Sequence, residues 1–337
     1  MKAYAGLDVA DKTTAICVVA EDGETLLETS ANTDAGAIGQ VLKPYRRSLA
    51  QVACESGNKS MWLAREMLRK KWPMICLDAF HTHSALRASI NKTDANDARG
   101  IAEVLCRGIY TVAYIRSEQS QAWRTILLHR KAMLRKRIEL SLLASGILKQ
   151  VGGKLMRDGD TLAVVSQKRR KLDPTMRAVL ESSIAVMNVL QVEHERLDAV
   201  VVRLANADPV CRRLMTIPGV GPVTAFAYRT AIENPSRFSS SRLVAAYFGL
   251  TPRVYQSGER SHTGAISKRG DLEVRSLLYQ SAGSLINVCK TPWRLRTWAK
   301  ELAKRKGFKL AAIACARRLA VVMHRMWITE RDFDPGK

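Results

Sequence analysis

The sequence predicts an α/β domain at the N-terminus, followed by a larger and mostly helical part. Short apolar runs separated by turns and helical segments fill the first third of the chain, whereas long helical patterns fill the rest. The net charge of +23 is also uneven, because residues 1–115 carry 14 basic and 13 acidic side chains. With 337 residues, 47% of them hydrophobic, the chain can bury a sizeable core. We therefore expect three parts, at 1–115, 116–207 and 208–337.

The N-terminal part begins with three predicted strands and continues with alternating helices and strands. Strands are predicted at 3–9, 13–20, 24–30, 51–55 and 72–77, and helices at 35–47, 59–71 and 94–107. The turn Glu21-Asp22-Gly23 makes the second and third strands an antiparallel pair. This order is that of a ribonuclease-H-like domain, although the pattern alone establishes only a mixed α/β domain.

Two long segments, at 117–150 and 175–204, carry apolar residues at alternating spacings of three and four. This heptad pattern predicts a helical coiled-coil arm, formed either as an antiparallel pair or as a contact between subunits. The arm is followed by Ile217-Pro-Gly-Val-Gly221, which is typical of a helix-hairpin-helix element. Gly219 and Gly221 would allow a tight turn whose amides face a phosphate, and the alternative is an ordinary turn between helices.

The last part of the chain is predicted to be mostly helical around one basic segment. A loop or short strand at 249–258 leads into sequence rich in Gly, Ser and basic residues that runs to Gly270. Predicted helices flank this segment at 239–249, 271–287, 293–305 and 309–327.

The positive charge indicates a polyanionic partner, most often nucleic acid. Residues 116–250 carry 22 basic and 11 acidic side chains, and residues 251–337 carry 18 and 7. No apolar run reaches the roughly 18 residues that a membrane span requires, and no signal peptide is recognisable. We therefore expect a cytoplasmic protein that binds nucleic acid and has no membrane partner.

Four acidic residues stand out in the near-neutral first third. Asp8 and Glu55 each follow an apolar strand, where an unpaired carboxylate is unfavourable. Asp94 and Asp97 lie three residues apart on a predicted helix and therefore share one face. Four such oxygen ligands suit one or two Mg²⁺ ions, which in pairs hold the attacking and leaving oxygens of a phosphodiester. Each acid also has a structural alternative as a cap, turn residue or ion-pair partner, and Asp11 is a lower-ranked ligand.

Seven motifs in fixed order add a family resemblance. They are Gly6-Leu-Asp8-Val-Ala, Cys54-Glu55-Ser-Gly57, Asn91-Lys-Thr-Asp-Ala-Asn-Asp-Ala-Arg99, Ile217-Pro-Gly-Val-Gly221, Phe248-Gly-Leu-Thr-Pro-Arg253, Tyr255-Gln-Ser-Gly258 and Gly264-Ala-Ile-Ser-Lys-Arg-Gly270. Together they resemble one family of bacterial insertion-sequence transposases with a RuvC-like DEDD domain, which includes the pilin-gene invertases. The one departure, Glu55-Ser-Gly in place of the Glu-Ala-Thr-Gly of many relatives, keeps the acidic ligand.

The resemblance implies a RuvC-like domain, a coiled-coil arm and a C-terminal transposase domain. It implies that Asp8, Glu55, Asp94 and Asp97 bind Mg²⁺ and that Ser257 attacks DNA to form a phosphoserine ester. It also implies guidance by a bridge RNA that pairs with donor and target DNA. From the residues alone, Ser257 does not differ from the serines near it.

Basic residues near Ser257 could hold the scissile phosphate. The candidates are Arg253, Arg260, Lys268 and Arg269. We therefore expect a Mg²⁺-dependent DNA recombinase that works as a homo-oligomer, a dimer or tetramer, with a guide RNA.

Two other functions remain open. One is a RuvC-like Holliday-junction endonuclease that uses metal-activated water, and the other is a non-catalytic nucleic-acid-binding scaffold.

Overall fold

The computed structural model describes residues 2–79, 82, 93–153, 172–257 and 260–335, with the backbone alone at 58, 257, 260 and 261. The chain forms two compact units, Met1–Ser117 and Glu118–Lys337. The first predicted boundary lies two residues before this division. The second predicted boundary lies within the second unit, which contains both the helical arm and the C-terminal helices.

In its described residues, the first unit is built on one mixed sheet of six strands. The strands are β1 Ala3–Val9, β2 Thr13–Ala20, β3 Thr25–Asn32, β4 Leu49–Glu55, β5 Met74–Leu77 and β6 Val112–Ala113. Their order is β3-β2-β1-β4-β5-β6, in which β1, β2 and β3 are antiparallel and β4 and β5 run parallel to β1. This order confirms the predicted ribonuclease-H-like fold. Strand β6 was not predicted, because two residues are too few to show a strand period.

Three described helices cover the two faces of this sheet. They are α1 Ala35–Leu42, α2 Asn58–Arg69 and α3 Asp94–Cys106. The cluster that contains Cys54 packs against α1 and α2, whereas its neighbour Ala53 packs with α3. Strand alternation therefore divides the sheet between two cores. Helix α1 ends earlier than predicted, because the chain tightens into a 3-10 turn at Lys43–Tyr45 that contains a proline.

The second unit begins with two long helices that form an antiparallel pair. These are α4 Glu118–Gln150 and α5 Pro174–Ala207. Arg130, in the first half of α4, forms an ion pair with Asp198 near the end of α5, whereas Leu148 and Leu180 share a core at the other end. Met187 and Val201 of the predicted seam are fully buried within the chain. The structure therefore contains the antiparallel pair, one of the two arrangements that the heptad spacing allowed.

Beyond the two long helices, the described residues of the second unit form six α-helices and a β-hairpin. They are α6 Pro209–Met215, α7 Pro222–Ile232, α8 Ser241–Tyr247, β7 Pro252–Ser257, β8 Arg260–Ile266, α9 Leu272–Asn287, α10 Arg294–Lys306 and α11 Phe308–Thr329. Helix α7 is buried along most of its length, and the Tyr228 hydroxyl within it donates a hydrogen bond of 2.7 Å to the Ala320 carbonyl oxygen of α11. The C-terminal helices therefore pack around α7.

An ion pair joins the arm to these helices. Asp271 caps the N-terminus of α9, and one of its carboxylate oxygens lies 2.5 Å from an Arg124 guanidinium nitrogen on α4. Burial acts to raise the pKa of Asp271, but Arg124 and two backbone N–H donors hold it below its ordinary value. In the described part of the chain, no helix is long and apolar enough to cross a membrane.

Candidate active site

The carboxylates of Asp8 and Glu55 come from neighbouring strands at one edge of the sheet. Strands β1 and β4 are parallel, and Leu7 pairs with Cys54 one residue before the two acids. In-register residues of parallel strands point to the same face, so Asp8 and Glu55 share a face. Both residues are half-buried. The sheet thus places two acids side by side where both strands end.

Helix α3 lies on this same face and packs directly on the backbone of β1. A Cβ atom on Gly6 would lie 2.1 Å from the Ala98 carbonyl oxygen and 2.5 Å from the Ala102 nitrogen. Only a glycine allows so close an approach. Asp94 and Asp97 occupy the first turn of this helix. All four predicted acids therefore belong to the face of the sheet that α3 covers.

Two of the structural alternatives for the helix acids do not hold. The N-cap of α3 is Thr93, whose hydroxyl oxygen accepts a hydrogen bond from a backbone N–H of the first turn, so Asp94 is not the cap. Arg99 was one of two candidate ion-pair partners for Asp97, but it pairs with Glu28 on β3, at 2.5 Å. The other candidate, Lys92, lies outside the described residues. Within the described part of the chain, the carboxylates of Asp94 and Asp97 form no ion pair and no hydrogen bond.

The described side chains do not form a complete metal site. Among them, no group of three or more His, Cys, Asp or Glu residues is arranged to hold a metal ion. The side chain of Asp11 is fully exposed, and its carboxylate lies 4.0 Å from the Lys59 ammonium group. The structure therefore brings the four acids to one face and edge of the sheet.

A further acid at this edge was not singled out from the sequence. Asp78 directly follows β5, whose Leu77 pairs in register with Glu55. The sequence pattern that identified Asp8 and Glu55, an acid directly after an apolar strand, is also present at Asp78.

Ser257 ends the first strand of the β-hairpin. Its backbone pairs in register with Arg260, and residues 258–259, including Gly258 of the motif, lie outside the described residues. The hairpin is exposed, with 61% of the surface of Val254 and 57% of that of Tyr255 accessible. A lone two-stranded hairpin is marginally stable in water, so this arrangement favours a binding partner for the hairpin.

Three of the four predicted basic residues lie at the base of the hairpin, several residues from Ser257. Arg253 donates a hydrogen bond of 3.2 Å to the Ser267 carbonyl oxygen, next to Lys268 and Arg269. Of the four candidates, Arg260 alone is in register with Ser257.

Two glycines hold the base of the hairpin together. A Cβ on Gly249 would lie 2.1 Å from the Arg269 carbonyl oxygen, and one on Gly270 would lie 1.9 Å from the Tyr247 carbonyl oxygen. Both glycines also have positive φ angles, of 66° and 76°. Arg275, which was not among the predicted site residues, donates hydrogen bonds of 3.0 Å to the carbonyl oxygens of Phe248 and Arg269.

The helix-hairpin-helix element has the predicted order, with α6 and α7 joined by the turn that contains Gly219 and Gly221. Gly219 has a φ of 88°, and a Cβ there would lie 2.9 Å from the Ser281 carbonyl oxygen of α9. Gly221 has no atom within 4 Å of such a Cβ and is the N-cap of α7. Packing against α9 therefore accounts for Gly219, whereas Gly221 borders open space.

Two family models match the chain. Residues 5–152, which include all four acids, match the DEDD model of the IS110 type, described as a transposase. Residues 211–299, which include the hairpin, match the model described as transposase of the IS116/IS110/IS902 family. The two matches together span more than half of the chain. The chain belongs to the IS110/IS116 family of transposases.

The chain is also similar to individual known proteins. The transposase is 26% identical to the transposase for insertion sequence element IS1111A of Coxiella burnetii, over 98% of this chain and 91% of that protein. It is 31% identical to the pilin gene-inverting protein of Moraxella bovis, over 41% of this chain and 44% of that protein. The solved structure of RuvC from Thermus thermophilus matches with a TM-score of 0.27 and 17% identity, over 33% of this chain and 99% of that chain.

Proposed function

We propose that this transposase recombines DNA through a covalent phosphoserine intermediate at Ser257, with divalent-metal binding by Asp8, Glu55, Asp94 and Asp97. The observation that supports this most strongly is the placement of the four acids at one edge and on one face of the sheet. The rest of the proposal is taken from the family resemblance and from the chemistry of these residues.

The four acids fit a hard divalent cation. Carboxylate oxygens are the ligands that Mg²⁺ prefers, and Mg²⁺ commonly binds proteins through one or two carboxylates while keeping several waters. Asp8 and Glu55 would provide rigid ligands from strand ends, and Asp94 and Asp97 would add ligands from a helix. A bound Mg²⁺ would neutralise charge on a phosphodiester and orient it. The acids would then contribute by fixing the position of the phosphate.

Ser257 would act as the nucleophile. Its hydroxyl oxygen would form a bond to phosphorus while the bond from phosphorus to a deoxyribose oxygen breaks, and the hydroxyl proton would pass to that leaving oxygen. A free hydroxyl of another strand would reverse this step and release Ser257. Because the phosphodiester energy is kept in the ester, strand joining would need no ATP. Basic groups near the phosphate, with Arg260 in register, would stabilise its developing charge.

A guide RNA is proposed as the second nucleic-acid partner. The excess positive charge beyond residue 115 supports binding of a polyanion, and salt should weaken that interaction through counterion release. The assignment to a bridge RNA comes from the family resemblance.

We also propose a homo-oligomer that uses the outer face of α5. The predicted seam is occupied by α4, so a subunit contact requires other residues. Exposed valines provide such a stripe, because Val186, Val189 and Val192 are 47%, 63% and 61% exposed. Glutamate at positions 186 and 189 should reduce the oligomer seen by light scattering, whereas an unchanged mass would exclude this face.

The proposed function is tested by denaturing electrophoresis of end-labelled DNA after reaction, with and without protease. Wild-type protein should give a protease-sensitive, slower-migrating band, and Ser257→Ala should bind DNA but give neither this band nor recombined product. Ser267→Ala, a serine in the same basic segment, is the matched control and should retain both.

The two alternative functions predict different results. Cleavage by wild type without a protease-sensitive band would favour a RuvC-like endonuclease that uses activated water. DNA binding without cleavage, at any Mg²⁺ concentration, would favour a scaffold.

A bridge RNA should be co-purified with active protein. Recombination that is unaffected by ribonuclease treatment would exclude such a guide.

A further inference from the structure

The second unit contains an open groove of about 910 Å³ that four arginines line. Arg242 lies on α8, Arg294 begins α10, and Arg317 and Arg318 lie on α11. The other lining residues are tryptophans and aliphatic side chains, and no carboxylate is among them. In the described part of the chain, none of the four arginines forms an ion pair with a carboxylate.

Four like charges around one groove repel each other and are unfavourable without an anion. One of them is nevertheless held in place, because the guanidinium carbon of Arg318 lies 3.5 Å from the ring centre of Trp298. Stacking of this kind fixes the plane of the guanidinium and leaves its N–H edge available. The groove therefore resembles a preformed anion site more than a solvated group of charges.

A buried histidine fixes the helix that carries Arg242. His324 of α11 is fully buried, with Nε2 3.1 Å from the Pro235 carbonyl oxygen and Nδ1 2.9 Å from the Ser241 hydroxyl. A carbonyl oxygen only accepts, so Nε2 carries the proton and Nδ1 accepts from the Ser241 hydroxyl. This bond joins the first residue of α8 to α11. Helix α8, which carries Arg242, is therefore held against helix α11, which carries Arg317.

We propose that this groove binds the sugar-phosphate backbone of a nucleic-acid strand. Arginine guanidinium groups match phosphate oxygens in pairs, and the apolar floor suits the sugar faces between phosphates. The phosphates that these arginines would contact are the same in every sequence, so binding through them should be independent of base sequence. The proposal rests on the nucleic-acid chemistry proposed above and adds a site outside the carboxylate edge and the hairpin.

The test compares two full-length variants with the same loss of charge. The groove variant carries Arg242→Gln, Arg294→Gln and Arg317→Gln, and leaves Arg318 in place because it packs on Trp298. The control variant removes three exposed charges outside the groove lining, with Arg305→Gln, Lys306→Gln and Lys309→Gln. Circular dichroism and the thermal midpoint show whether each variant is folded.

Binding is measured against salt with three labelled probes of one sequence and of a scrambled sequence. The probes are single-stranded DNA, duplex DNA and single-stranded RNA. Each lost phosphate contact lowers the slope of log K against log salt by roughly 0.7 to 0.9. The groove variant should lose about 2 units of slope for at least one probe, and the control variant should lose clearly less. The probe that is affected identifies the strand as DNA or RNA.

The outcomes separate this proposal from the proposed function. Equal slopes in the groove and control variants, with normal wild-type binding, would overturn the groove proposal alone. A wild-type protein that binds none of the probes would overturn the nucleic-acid function itself. If the triple groove variant is unfolded, the single variants Arg242→Gln, Arg294→Gln and Arg317→Gln replace it in the comparison. A variant with lysine at the same three positions keeps the charge and is their control. A groove contribution that changes between the two sequences would contradict backbone recognition.

Discussion

Replacement of Gly6 by alanine tests whether the contact between β1 and α3 positions the acidic edge. The added Cβ would lie 2.1 Å from the Ala98 carbonyl oxygen, whereas an ordinary contact begins near 3.4 Å. The Cβ of residue 6 is fixed to the backbone of β1, and the Ala98 carbonyl oxygen belongs to the backbone of α3. Neither atom can turn aside, so helix α3 must move away from β1 by about 1 Å. Overpacking of this kind destabilises a protein by about 1–3 kcal/mol. Asp94 and Asp97 move with the helix, and a misplacement of about 1 Å lowers reaction rates by as much as about 100-fold.

The assay measures stability and activity on the same preparation of Gly6→Ala. Thermal unfolding should show a midpoint lower by several degrees, and strand exchange should fall much further than the small loss of folded protein explains. Gly146→Ala is the matched control, because no atom lies within 4 Å of a Cβ there and alanine favours a helix. Wild-type stability and activity in Gly6→Ala would refute the close packing of α3 on β1.

Three further predictions concern other parts of the molecule. Asp8→Asn should abolish strand exchange and the thermal stabilisation that Mg²⁺ produces. Asp11→Asn, which changes an exposed side chain, should keep both. Equal behaviour of the two variants would remove Asp8 from the metal site. Met187→Ala should lower the free energy of denaturant unfolding by about 2–5 kcal/mol because Met187 is fully buried, and the exposed Val189→Ala should change it by less than about 0.5 kcal/mol. Burial lowers the pKa of His324 below 6.5, so the unfolded state binds more protons. Stability should therefore fall by about 1.4 kcal/mol per pH unit below pH 6.5 until the folded-state pKa is reached, and His324→Gln should remove this slope.

The elements that were predicted well are those whose signals are local. Strands β1 and β2 match their predicted ranges, because apolar and β-branched runs bounded by turns are visible in the sequence. Helix α3 begins at Asp94, the predicted first residue, and Thr93 caps it. No strand was predicted at β8, because its polar and glycine-rich sequence lacks a strand period. Its strand conformation comes from backbone pairing with β7, which is not a property of its own residues.

The acidic edge was partly determined by the sequence alone. Acids that follow apolar strands, and a pair of acids spaced by three on a helix, are local patterns, and they identified Asp8, Glu55, Asp94 and Asp97 as candidates. The register that places Asp8 beside Glu55 became visible only in the structure. Register depends on how the whole of β1 pairs with β4, and a shift of one residue would turn one acid to the other face.

The basic groove is the clearest case of what tertiary structure decided. Arg242, Arg294 and Arg317 are dozens of residues apart, and each follows an ordinary pattern for a charged helix surface. The sequence determined the charge, the ranges of β1 and β2 and the start of α3, because these depend on residues that are neighbours along the chain. Only the packing of α8, α10 and α11 brings the three arginines to one groove, because contacts between distant segments are decided by the fit of whole buried surfaces.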